Sequence, residues 1–199
     1  RGQSVMYRFF FGLSRLMAVV GGIVLSALIV MVCVSITGRA LNGFLHADMM
    51  QAMLPGLAEW LIDLGVGPVN GDFELVEAGI AFAIFSFLPY CQITSGHAVV
   101  SIFTDWLPMR AQQVLRMLIE ILFALVLVVI AVQLKDGMDS RIRSGQTTFL
   151  LQFPIWWAYA LSLVGATIAA AVGVYMALIR TAEALTGREL IADDMGAEH

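Results

Sequence analysis

The sequence predicts an all-α integral membrane protein with four transmembrane helices plus an amphipathic interfacial helix in the first connection. Three observations carry that expectation. Of the 199 residues, 60% are hydrophobic and 13% charged, whereas a soluble domain carries about 25% charged residues. Mean hydropathy is +0.87. The apolar residues also fall into four long runs divided by polar connections, and about 20 apolar residues suffice to cross the hydrocarbon layer as a helix.

The chain opens on Arg1 with no Met, so further residues are expected before it. Residues 1–15 read as an interfacial lead-in with three arginines and the run Phe9, Phe10, Phe11. Residues 16–38 are uncharged, long enough to span with some tilt. That run is too long for a signal-peptide core and lacks the small-residue cleavage site, so it is expected to stay in the protein. Gly12, Gly21, Gly22, Ser26 and Ala27 offer small-residue positions for close helix contact.

Residues 40–71 form the longest polar connection. Met50, Met53, Leu54, Leu57, Leu61 and Leu64 recur at helical spacing. Pro55 suits a first helical turn better than a helix interior. The expectation is a bent or two-piece amphipathic helix over about 48–65. Either it lies along the membrane with Trp60 at headgroup level, or it packs on the protein's own spans. The cluster from Gly65 to Gly71 then turns the chain back into the bilayer.

The second span, from about Phe73, opens on the acidic cluster of Asp72, Glu74 and Glu77 and is uncharged over residues 78–96. Those 19 residues measure about 28 Å as a helix, close to the hydrocarbon thickness. Pro89 within it predicts a kink or a non-ideal turn. Residues 97–108, with Trp106, read as a surface segment near the headgroups. The third run has only 14 uncharged residues, 121–134, and spans only if Glu120 enters the membrane with it. Glu120 then makes a partner-facing ion pair or snorkels at the boundary, and Arg116 lies one turn away on the same face. The fourth run starts with Pro154, Trp156, Trp157 and Tyr159, a proline and an aromatic belt. Residues from Arg180 onward read as a polar tail. These readings place spans at about 14–39, 73–96, 112–135 and 153–180 in one membrane domain, 1–185, followed by a tail at 186–199.

Four spans put both termini on one side. Seven cations (Arg1, Arg8, Arg15, Arg110, Arg116, Arg180 and Arg188) share that side, and four (Arg39, Lys135, Arg141 and Arg143) lie opposite. The positive-inside rule therefore predicts cytoplasmic termini.

Chemistry is sparse. Cys33 and Cys91 differ in expected depth by about 15 Å, too far for a disulfide. His46 and His97 are expected on opposite faces, and His199 ends the chain, so a bundle haem has no facing axial pair. No His, Cys or acid cluster has metal spacing. No basic-aromatic stripe suggests nucleic acid. No enzyme activity and no cofactor are therefore expected. With so few ionisable residues inside the spans, the residues point to a helper whose faces suit other helices and membrane lipids. The competing readings are a four-span redox or enzyme protein and an autonomous small transporter.

The order of features resembles the small membrane subunit of tripartite ATP-independent periplasmic (TRAP) transporters, the DctQ-like family. Arg39 with Asn42 closes span one. Phe73-Glu74 stands where the family opens span two with an acidic pair, so only Glu74 matches. Gly96-His97 follows about 23 residues on, then Leu107-Pro108, then the Phe153-Pro154-Ile155-Trp156-Trp157 entrance to span four. The resemblance covers roughly residues 16–180. The tryptophan expected before the acidic pair is absent, and the first connection is about 20 residues longer than expected. The resemblance implies a bacterial inner-membrane location and two partners, a large many-span membrane subunit and a periplasmic solute-binding protein. It implies sodium-coupled uptake of a small organic solute, in which this chain braces a large elevator-type subunit. Arg39, Glu74, His97, Glu120 and Trp60 are the candidate partner contacts.

Overall fold

In the computed structural model the described residues are 5–94 and 108–186. They form six helices: α1 (Val5–Leu45), α2 (Asp48–Met53), α3 (Pro55–Asp63), α4 (Asp72–Ile93), α5 (Met109–Ser144) and α6 (Trp156–Thr186). Four of them, α1, α4, α5 and α6, are long and apolar enough to cross a membrane. His97, Trp106, Leu107 and the chain after 186 lie outside the described residues.

The ends of these helices have local causes. Leu54 adopts φ −144°, ψ 64°, and Pro55 opens α3. Proline pushes the residue before it out of the helical region, so the amphipathic segment breaks into two pieces there. Gly71, at φ +76°, precedes α4, whose first turn carries Asp72 and Glu74, acids that suit the positive end of the helix dipole. Gly145, at φ +61°, ends α5, and its N–H reaches the carbonyls of Arg141 and Ile142. Arg141 and Arg143 in that last turn complement the negative end of the dipole.

The long helices outrun the bilayer. At 1.5 Å per residue, α1 measures about 60 Å, α5 about 54 Å and α6 about 46 Å, against a hydrocarbon core of roughly 30 Å. Residues 5–15 are thus part of α1 and not a separate arm. Phe9 stays exposed, but Phe10 packs on Tyr175 at 4.9 Å between ring centroids and Phe11 on Tyr90 at 6.0 Å. Tyr7, Phe10 and Phe11 cover a core of Ile93, Val172, Tyr175 and Met176. The fourth long helix starts at Trp156, not at 153, and runs through Arg180 to Thr186.

The four helices pack as an open row. α1 lies on α4, α4 on α6, and α6 on α5, while α1 touches α6 only slightly. The closest approaches use glycine. A Cβ on Gly21 would stand 2.8 Å from Cβ of Ser86, and one on Gly79 would stand 2.6 Å from Leu28, both at the α1/α4 seam. At the α4/α6 seam, a Cβ on Gly165 would stand 2.9 Å from Phe85 carbonyl carbon and oxygen. Phe85 is four residues before Pro89, which has no N–H to donate to it. The carbonyl freed by the proline therefore lies where α6 comes nearest, and the Gly165 backbone packs on it. Gly173 sits against Leu127 and Ala124 on α5. The small residues Ala166, Ala169, Ala170 and Ala177 of α6 are all buried in the chain's own packing.

Candidate functional site

Two polar layers mark the ends of the row, and each ties together elements distant in sequence. In the first, α1 ends beside the start of α4. Ser35 donates to Asp72 Oδ2 at 2.5 Å and accepts from the Val69 N–H at 3.2 Å. Arg39 reaches the same carboxylate oxygen at 3.5 Å, with its guanidinium 5.9 Å from the centre of the Phe73 ring. Gly38 makes this possible by letting the loop carbonyl of Gly67 lie against α1, where a Cβ would stand 2.1 Å from it.

Glu74, two residues on, points to the other side. Its Oε1 accepts the Leu150 N–H at 2.6 Å and its Oε2 the Leu151 N–H at 2.9 Å. These amides belong to the connection between α5 and α6. There an isolated bridge joins Thr147 to Pro154, and Gln152 takes a positive φ of 53°. Phe149 and Leu150 at the tip are exposed. The base of this loop is held by its own bonds, from the Thr148 N–H to the Phe153 carbonyl and from the Ile155 N–H to the Gln146 carbonyl, and the carboxylate clasping two adjacent amides fixes its apolar tip.

The second layer lies at the opposite end. Gln92 on α4 donates through Nε2 to Glu120 Oε2 on α5, and both side chains are buried. On α6, Arg180 and Glu183 pair at 2.8 Å with both side chains 6% exposed. Gln113 and Arg116 of α5 line the small gap that Arg180 and Glu183 also border. Buried ion pairs persist only when well hydrogen-bonded, and losing one partner strands the other. This layer welds α4, α5 and α6 across their ends.

The five residues singled out from sequence fare differently. Arg39 and Glu74 lie in the first layer, but Arg39 meets Asp72 and not Glu74. Glu120 turns into the row toward Gln92 and neither outward nor to a headgroup. Trp60 is exposed on α3, in line with the exposed Leu57 and Leu64, and among the described helices α2 and α3 touch only α1 and each other. His97 lies outside the described residues. Asp72, Gln92 and the Arg180–Glu183 pair were not singled out. The i, i+3 spacing of the last was the available signal.

A family model described as "Tripartite ATP-independent periplasmic transporters, DctQ component" matches residues 28–184. That stretch runs from the middle of α1 to the last turn of α6. Comparison with curated proteins and with solved structures gives no match.

Proposed function

Since the chain belongs to the DctQ family of TRAP transporter components, we propose that this small, multi-pass inner-membrane subunit braces a large elevator-type subunit through the outer face of α1. The family is one of transporter components and not of enzymes. The finer reading rests on one observation, the small residues left uncovered on that face between the exposed Val19, Ile23 and Val30. An added Cβ at Gly12 or Gly22 would meet nothing within 4 Å, and Ser26 and Ala27 are exposed. Small residues there admit another helix backbone closely, and in lipid such packing drives helix association. The exposed face of α5 differs. It carries Leu118, Leu122, Val129 and Val132, bulky side chains suited to acyl chains.

In this reading α4, α5 and α6 make a self-held plate, and α1 joins it to the moving partner's stationary part. Arg39 and Trp60 stand at one end of α1 and contact the large subunit or the solute-binding protein. Transport of a small organic solute and its sodium coupling reside in the large subunit, because among the described residues the buried charges of this chain are already engaged, Arg180 with Glu183 and Glu120 with Gln92. Both termini face the cytoplasm, as the cation distribution favours. Gly22→Leu tests the reading. It leaves this chain inserted and folded but removes the large subunit from what co-purifies with it. Full co-purification from Gly22→Leu rules out docking on this face.

A further inference from the structure

Between α4, α5 and α6, below the first polar layer, lies a cavity of about 310 Å³. That is at the lower end of the range for small-molecule sites. Its walls mix apolar and aromatic groups, Phe85, Phe153 and Tyr159 among them, with two carboxylates, Glu74 and Glu77. The carboxylates are not equivalent. Both oxygens of Glu74 are engaged by the Leu150 and Leu151 amides. Glu77 is exposed and makes no hydrogen bond or ion pair among the described residues. Ser162, a further lining residue, is 2% exposed. Its Oγ is buried with no hydrogen-bond partner, whereas Ser26 and Ser86 bond back to their own backbone, at Gly22 and Phe82. A buried hydroxyl left unpaired costs stability unless something supplies the partner.

A free carboxylate beside three aromatic rings is the chemistry that selects an organic ammonium, by ion pairing and by attraction to the ring faces. An apolar wall and an unmatched hydroxyl further along suit a stem bearing an acceptor oxygen. We propose that this cavity holds an ammonium-headed amphiphile, with the head at Glu77 and the stem running past Phe85 and Tyr159 toward Ser162. Two sources share that chemistry: an aminophospholipid of the bilayer, whose ester carbonyl would accept from Ser162, and a free alkylammonium. The inference does not depend on the bracing role.

The test is native mass spectrometry of the assembly purified from membranes, with phosphatidylethanolamine, phosphatidylglycerol and dodecylammonium offered separately. The ammonium lipid should be retained roughly tenfold better than phosphatidylglycerol, and Glu77→Gln should remove that preference. Retention of dodecylammonium without phosphatidylethanolamine would assign the free amine as the source. Ser162→Ala removes the orphan hydroxyl with little change in volume, so it should unfold no sooner than the wild type while holding the ester lipid less well. Ala158→Phe, which fills the cavity, should abolish retention of both. Equal retention of the two phospholipids by the wild type, or a preference indifferent to Glu77→Gln, overturns the proposal.

Discussion

Helices α1 and α6 are both long and apolar, yet the chain treats them oppositely. In the most apolar stretch of α6, 50% of residues are buried within the protein; in that of α1, 11% are. Both carry small residues at helical spacing. On α6 they are spent internally, with Gly165 against Phe85 and Gly173 against Leu127. On α1 Gly21 is used at Ser86 and Gly38 at the Gly67 carbonyl, while Gly22 faces open space. Without a membrane-driven hydrophobic effect between helices, close packing is what holds such rods together. A face that could pack closely and does not is the one left for another chain.

The contrast can be broken most severely at the end of α6. Arg180→Met breaks the buried pair with Glu183 and should cost about 3–5 kcal/mol, while replacing both by Met should recover most of it. Thermal unfolding in detergent reads both. Gly165→Leu comes next. Its side chain must enter the backbone of Phe85, for about 1–3 kcal/mol of overpacking, while Gly22→Leu should leave the unfolding midpoint of this chain unchanged. Equal destabilisation by the two leucines would erase the distinction between the helices. Glu74→Gln weakens one clasp and leaves both helices in place. Amide hydrogen exchange at Leu150 and Leu151 should quicken severalfold with the remaining helices unaffected. The smallest effect is expected from Arg39→Gln. Its side chain is 56% exposed, and exposed ion pairs contribute little, so the unfolding midpoint should hold. Any loss should appear only in partner retention.

Much of this architecture was legible in the sequence because the bilayer writes it in composition. Four apolar runs gave four long helices, and the proline at 55 marked the break between α2 and α3. Helix ends were less legible. Residues 5–15 carry Arg8 and Arg15 and read as an arm, but Tyr7, Phe10 and Phe11 lie on the core of the row, which carries α1 through them. Arg180 and Glu183 read as the start of a tail for the same reason: a charge signals water, and although their i, i+3 spacing allows a pair, only the fold shows that the pair is buried. The polar layers were least legible of all. Arg39 takes Asp72 because the Gly65–Gly71 turn delivers that residue to Ser35. Glu74 holds amides 76 and 77 residues away, and amides carry no side-chain signature.

Photocrosslinking in native membranes tests the central claim most directly. With a photoreactive residue placed at Val19, Ile23 or Val30 on α1, and at Leu122 or Val129 on α5, all exposed, the large subunit should be captured from the α1 positions and only lipid from α5. Capture of the large subunit from α5, with none from α1, would contradict it.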